Sequence, residues 1–284
     1  MGAPCVFPIL KAGTIQVSKT QNDTFPELLA CAHTLADASG KVILPHFRRQ
    51  IEVENKAKGR DFDPVTAADR GAERIISRML AKSHPHHGLT GEEYGSRNAD
   101  AKLRWVVDPI DGTRSFMTGA LSWGTLIGLL DNEVPLLGIM DQPFVGERFW
   151  AGAKASFTRG PDGRTRRLKT RSCSKLADAI LSSTHPDLFS PGKEASGFQR
   201  IKSSVRMSRF GGDCYGYAQL ASGLVDLVIE VDLKPFDVIA LIPIVEKAGG
   251  RMTTWDGKSA AQGGRIVASG DPKLHDEVLR LLNR

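Results

Sequence analysis

The segment WVVDPIDGT, residues 105–113, runs from apolar residues into two carboxylates three positions apart, Asp108 and Asp111. Neither a strand nor a turn needs both. Like charges this close oppose joint ionisation, and a buried carboxylate without a partner is costly, so a divalent cation held between them would resolve the conflict. Pro109 constrains the bend, and Gly112 lets the backbone approach a ligand closely. If a helix begins there, the N–H groups of Gly112 and Thr113 are available to an anion. A lone D-x-x-D is equally compatible with an acidic loop that caps a helix.

Other acids widen the pattern. TGEEYG sets Glu92 and Glu93 after a short apolar rise, KPFDVIAL sets Asp237 at the start of an apolar helix, and TAAD sets Asp69 at the third position of a helix capped by Thr66. Taken singly, Asp237 could favour a helix N-terminus and Asp69 could complete a cap. Taken together, they are oxygen ligands without accompanying histidine or cysteine, which suits magnesium better than zinc or copper. His84, His86 and His87, in HPHHG, follow a helix end and are expected in a solvated loop.

These residues need a scaffold that gathers distant segments. Thr24-Phe25-Pro26-Glu27 has the form of a capping box, and apolar residues at helical spacing then predict a helix to about Leu44, before Pro45. A second helix is expected after Thr66, ending at His84-Pro85. From 104 to 150 the pattern becomes short runs rich in valine, isoleucine and leucine, and TLIGLL and PLLGIM read as neighbouring strands. Apolar runs at 179–181, 225–231 and 265–268 then alternate with helical stretches at 215–221, 238–248 and 273–282, which argues for α/β layers. The expected organisation is an N-terminal extension over 1–23, a metal-binding sub-domain over 24–150 and an α/β sub-domain over 151–284.

With 284 residues, the chain can bury about three quarters of its unfolded surface. Its composition, 41% hydrophobic and 25% charged, excludes a disordered or fibrous class. No apolar run approaches the roughly 18 residues of a membrane span, and the first residues lack the form of a secretory signal. Cys5, Cys31, Cys173 and Cys214 form no C-x-x-C pair, so a cytoplasmic protein without a disulfide framework is expected. The net charge of +6 is partly local to RGPDGRTRRLKTR, residues 159–171. No aromatic residue interleaves there as a nucleic-acid stacking platform requires, so a solvated hairpin is expected, with neither nucleic acid nor membrane as partner.

The ordered set DPVTAAD, GEE, WVVDPIDGT and FDVIA resembles the inositol monophosphatase family of magnesium-dependent, lithium-sensitive sugar phosphatases. The resemblance runs from about Glu27 to the C-terminus. It implies a layered α-β-α-β-α sandwich, generally homodimeric, acting on a small phosphorylated substrate. It also implies one magnesium held by Glu92, Asp108 and the carbonyl of Ile110, and a second held by Asp108, Asp111 and Asp237, with a weaker third site near Glu92. Asp69 and Thr113 would orient and deprotonate the attacking water, and the N–H groups of Gly112 and Thr113 would bind phosphate oxygens. Lys58, in the loop before DPVTAAD, would approach the phosphate. Two metals suit an in-line displacement without a covalent nucleophile, and neither a G-x-S-x-G elbow nor a Walker A sequence competes with that reading.

Within the family, GDCYGYAQLASG followed by LKPFD resembles the histidinol-phosphatase branch. Members acting on inositol usually carry tryptophan before the last metal-binding aspartate, where this chain has Phe236. Asp213, among small and aromatic residues, and Glu230, within the apolar VDLVIEV, are acids where burial is expected. Two carboxylates beside a phosphate site suit the ammonium and imidazole of histidinol phosphate, whereas an inositol ring offers only hydroxyls. The remaining possibilities are an inositol phosphate or another small phosphomonoester as substrate and, in a different class, a basic nucleic-acid-binding module.

Overall fold

The computed structural model describes residues 23–50, 52–55 and 64–284. Lys58 and the first 22 residues of the expected extension lie outside them. Helix α1 (Phe25–Ile43) starts as expected, with the Glu27 carboxylate accepting from the N–H and the hydroxyl of Thr24, both at 2.8 Å. Strands β1 (Val53–Asn55) and β2 (Pro64–Thr66) form a small antiparallel pair ahead of α2 (Ala67–Ser83). The chain continues through β3 (Gly88–Gly91), β4 (Gly95–Arg97), β5 (Leu103–Asp111) and the short α3 (Thr113–Thr118). It then runs through β6 (Gly124–Asp131), β7 (Val134–Gln142), β8 (Glu147–Ala151), β9 (Ser156–Arg159) and β10 (Thr165–Arg167). The last part comprises β11 (Ile180–Ser183), α4 (Lys193–Lys202), β12 (Met207–Phe210), α5 (Asp213–Ala221), β13 (Leu227–Leu233), α6 (Pro235–Val238), α7 (Leu241–Lys247), β14 (Arg251–Thr254), β15 (Gly264–Ser269) and α8 (Pro272–Leu282).

Two large sheets result. The first has eight strands in the order β10-β9-β8-β7-β6-β5-β3-β4, and the second has five in the order β12-β11-β13-β15-β14. TLIGLL and PLLGIM are antiparallel neighbours, as their pattern predicts. The first sheet continues to Arg167, so the division expected near residue 150 falls inside β8, and the change of sheet comes between β10 and β11. The basic segment after residue 150 pairs back onto β8 as the β9–β10 hairpin, extending that sheet. The strand β10 is exposed, as a solvated hairpin requires.

Alternation along β5 connects the layers. Trp105 and Val107 pack beneath α1 and α2, whereas Val106 turns to the opposite face and the core of α5 and α7. That second core also includes Val228 and Ile266 of the smaller sheet, whose far face packs Leu227, Ile229 and Val267 against Phe198 of α4 and Leu274 and Val278 of α8. The layers therefore run helix, sheet, helix, sheet, helix, the expected α-β-α-β-α sandwich. Among the described residues no helix is long and apolar enough to cross a membrane.

The single helix expected over 238–248 is instead α6 followed by α7. Pro243 has no N–H to offer the carbonyl of Ile239, so a continuous ladder is interrupted there. The interruption fits against two opposed glycines, Gly128 and Gly138, which pair across β6 and β7. A Cβ on Gly138 would lie 1.9 Å from the Ala240 carbonyl oxygen, and one on Gly128 would lie 2.6 Å from the Ile239 side chain. This notch brings the start of α6, and with it Asp237, close to the end of β5.

Candidate metal and phosphate site

Strand β5 stops pairing regularly with β6 between Asp108 and Asp111. The bend turns the Asp108 carboxylate back to accept the Ile110 N–H at 2.9 Å, and the Thr125 hydroxyl donates to the freed Pro109 carbonyl at 2.8 Å. Gly112 follows with φ +82°, and a Cβ there would lie 2.9 Å from the Ser122 carbonyl oxygen, so the turn into α3 requires glycine. The N-terminal N–H groups of this helix therefore emerge directly beside the two acids.

Asp237 comes from the third position of α6, where its carboxylate accepts the Lys234 N–H at 2.6 Å. Oxygen atoms of Asp108, Asp111 and Asp237 all lie within 4.8 Å of one another. Burial, followed by repulsion from neighbouring acids, holds Asp108 and Asp111 well above the usual carboxylate range, with Glu92 the strongest charged influence on Asp108. Asp237 is pushed up to about 7, chiefly by burial. Three crowded carboxylates raised in this way fit a divalent cation: hard oxygen donors are close together, and their mutual repulsion is what a cation would neutralise.

Glu92 follows β3, where its N–H extends the pairing with β5 by donating to the Val107 carbonyl at 3.2 Å; its charge acts on Asp108 and Asp237, although its carboxylate is not among the oxygens gathered within 4.8 Å. Glu73, a buried residue of α2, organises that loop by accepting the N–H groups of Glu93 at 2.7 Å and Tyr94 at 3.0 Å. A Cβ on Gly91 would lie 1.9 Å from the Glu73 carboxylate, so glycine leaves the space that this contact needs.

Asp69 has the capping role that its sequence position allows and also stands beside the cluster. It accepts from the Thr66 N–H at 2.8 Å and the Thr66 hydroxyl at 2.5 Å. Burial raises it to about 6, with Glu93 and Glu92 adding to the shift. Thr113 donates its hydroxyl to the Ile110 carbonyl at 3.1 Å, so each member of the expected Asp69–Thr113 pair has a different partner in this structure.

The two acids expected on the leaving-group side share a cavity with the metal cluster. A space of about 150 Å³ is lined by Asp111, Thr184, Asp213, Tyr217, Glu230 and Asp237, among others. Glu230, on β13, is 3% exposed and accepts at one oxygen from both the N–H of Thr184, 2.8 Å, and its hydroxyl, 3.0 Å. Burial pushes Glu230 up to about 8. Asp213 begins α5 with φ +43°, and its carboxylate is held from the side of α3 by the hydroxyls of Ser115, 2.6 Å, and Ser122, 3.4 Å. The adjacent Cys214 N–H donates to Asp111 at 2.7 Å, which joins α5 to the metal cluster.

Sequence reasoning missed Thr184, Tyr217 and Glu73. Tyr217 lies four residues after Asp213 and Glu73 four after Asp69, so helical spacing alone could have flagged both. Thr184 has no comparable signal, because its role depends on the parallel pairing of β11 with β13. The histidine cluster departs from the expected solvated loop: His87 is buried, accepts from the Trp105 indole at 3.1 Å and faces the Asp23 carboxylate at 3.1 Å. The ring of His84 packs beside it, while His86 is exposed. The apolar floor supplied by Trp105 buries His87 and half-buries His84.

Layered helices and sheets around clustered acids, beside a turn into a short helix, are the fold and site of a metal-dependent hydrolase of phosphomonoesters. The chain belongs to the inositol monophosphatase family, whose sequence profile matches residues 26–284. It is similar to the bifunctional phosphatase IMPL2, chloroplastic, of Arabidopsis thaliana, with 42% identity over 94% of this chain and 77% of that protein. It is also similar to a histidinol-phosphatase of Mycobacterium tuberculosis, with 35% identity over 90% of this chain and 97% of that protein. Among solved structures, an inositol monophosphatase from Zymomonas mobilis superposes with a TM-score of 0.81 at 38% identity, covering 93% of this chain and all of the other.

Proposed function

We propose that the chain is a magnesium-dependent histidinol-phosphate phosphatase, releasing L-histidinol and inorganic phosphate. The observation that carries the substrate is the cavity in which Asp213 and Glu230 stand beside Asp111 and Asp237. Acidic side chains next to the phosphate position favour a cationic leaving group, because an ammonium or imidazolium gains charge-assisted hydrogen bonds where a polyol gains neutral ones. The similarity to a histidinol-phosphatase at 35% identity supports this reading. The solved inositol monophosphatase at 38% identity supports the alternative, the same hydrolysis on an inositol phosphate.

In this reading Glu92, Asp108 and the Ile110 carbonyl would hold one magnesium ion, and Asp108, Asp111 and Asp237 would hold a second. When bound, such ions neutralise phosphate oxygens, lower the pKa of water and stabilise the departing alkoxide. Asp69 takes a proton from the attacking water, its carboxylate being fixed in place by the N–H and hydroxyl of Thr66. For this step the Thr113 hydroxyl turns from Ile110 to help orient the water. The N–H groups of Gly112 and Thr113 bind phosphate oxygens, while Asp213 and Glu230 hold the leaving group until the phosphorus–oxygen ester bond breaks and the alcohol departs. A cytoplasmic homodimer completes the proposal, and light scattering of the pure protein measures the oligomeric state.

Phosphate release from L-histidinol phosphate, inositol 1-phosphate and fructose 1,6-bisphosphate, with magnesium and with chelator, tests the function. The expected result is chelator-sensitive preference for histidinol phosphate. Glu230→Gln and Asp213→Asn should raise KM for histidinol phosphate roughly tenfold more than for inositol 1-phosphate. Equal effects on both esters would remove these acids from substrate recognition, and wild-type preference for inositol 1-phosphate would select the alternative.

A further inference from the structure

Among the described residues, the Tyr217 hydroxyl is a buried polar group with no hydrogen-bond partner. The residue is 2% exposed. A buried hydroxyl left unsatisfied is costly, and a structural reason for keeping it should be visible in its surroundings. Phenylalanine would provide the same ring without that cost.

The surroundings point instead to a ligand. Tyr217 and Asp213 are four residues apart on α5, so both reach the same side of the helix. Helix α5 lies close against β11: a Cβ on Gly212 would meet the Ser182 hydroxyl at 2.6 Å, and one on Gly216 would meet it at 3.0 Å. This close packing sets the Tyr217 ring against the end of the five-stranded sheet. Tyr217 lines the cavity shared by Asp111, Asp213, Glu230 and Asp237. None of the other buried polar atoms without partners, on Arg97, Arg104, Trp123 and Ser183, belongs to a residue lining this cavity.

The hydrogen-bonding inventory of the cavity is uneven. Both Thr184 donors go to one oxygen of Glu230, which leaves that carboxylate a second oxygen to accept from a ligand, while Asp213 is held at one oxygen by both serine donors and also interacts with the Thr184 side chain. The Thr184 hydroxyl is already committed to Glu230, so Tyr217 supplies an uncommitted O–H. The complementary leaving group carries N–H donors for the two acids and one lone-pair acceptor for the phenol.

We propose that Tyr217 is a specificity-determining residue whose hydroxyl donates to an acceptor atom on the non-phosphate part of the substrate, a ring nitrogen of an aminated azole phosphate. This inference rests on the substrate reading proposed above and adds a donor to the two acids in that reading. Tyr217→Phe removes only the hydroxyl.

Steady-state kinetics of the magnesium-loaded protein test it, comparing histidinol phosphate with phenyl phosphate, whose leaving group has no hydrogen-bonding substituent beyond the ester oxygen. The ratio of kcat/KM for the two esters should fall about tenfold in Tyr217→Phe, mainly through KM for histidinol phosphate. The thermal midpoint with chelator should hold or rise, since no protein partner is lost. An unchanged ratio, whether both rates fall together or neither moves, would overturn the role, as would a lower midpoint with equal losses on both esters. If the wild-type protein prefers another ester, the histidinol-phosphate reading fails, and the same ratio measured with the preferred ester still decides whether Tyr217 recognises the leaving group.

Discussion

Asp108 ionises against its surroundings. It is 2% exposed, and Glu92, Asp111, Asp237 and Asp69 all oppose its negative charge. A residue kept under such strain serves function at the expense of stability. Asp108→Asn should therefore raise the metal-free thermal midpoint by a few degrees, corresponding to about 1 kcal/mol in a chain of this size. It should also lower phosphatase activity by on the order of 10²-fold or more. Differential scanning calorimetry in chelator and phosphate release in magnesium measure the two effects. A lower midpoint would instead make Asp108 a structural anchor through its bond to the Ile110 N–H. The candidate metal acids stood out in the sequence: Asp108 and Asp111 sit beside Pro109 and Gly112 in one short motif, and Asp237 follows Pro235 at the start of an apolar helix. Thr184 was not, because the Glu230 contact joins residues 46 positions apart. His87 was misread because HPHHG looks polar until Trp105 covers it.

Whole elements were legible where one periodicity governed them. Helix α1, helix α2 and the β6–β7 pair follow their capping and apolar patterns. The short α3, α4, β12 and β14 did not stand out, since four to ten residues offer too little repetition to distinguish a period. The broken α6–α7 segment is more informative, because its sequence reads as one helix while its position is set by the opposing sheet. Gly138 tests that relation. A Cβ 1.9 Å from the Ala240 carbonyl oxygen cannot be absorbed by a side-chain rotation, so Gly138→Ala should cost about 1–3 kcal/mol or more by overpacking. It should also shift Asp237 away from Asp108 and Asp111, which would weaken metal binding beyond the loss of stability. Urea denaturation gives the first effect, and a magnesium titration of activity at a temperature where the variant stays folded gives the second. Loss of stability with unchanged magnesium dependence would show that the notch supports the fold without setting the ligand geometry.

Across the whole molecule, the site collects acids from separate layers: Asp108 and Asp111 from the eight-stranded sheet, Asp237 from the helices between the sheets and Glu230 from the five-stranded sheet. Their repulsion therefore acts between layers that the apolar cores hold together. Burial raises Asp69 to about 6, Asp237 to about 7 and Glu230 to about 8, so the folded, metal-free chain retains protons that the unfolded chain releases near the ordinary carboxylate values. With more protons bound in the folded state, stability must fall as pH rises through this window. The contribution is complete below the ordinary values and is lost by about pH 8. A bound divalent cation should oppose the trend, because ionised Asp237, with Asp108 and Asp111, would be its ligand and the cation's charge favours ionisation of the neighbouring acids; binding to the folded state alone adds about 2.7 kcal/mol at a hundredfold excess over Kd. Thermal denaturation at pH 5, 6.5 and 8 should show a falling midpoint in chelator and a magnesium-induced increase that is largest at pH 8. A midpoint that rose with pH in chelator would mean that protein donors already satisfy the ionised acids, leaving no unbalanced charge between the layers for a metal to neutralise.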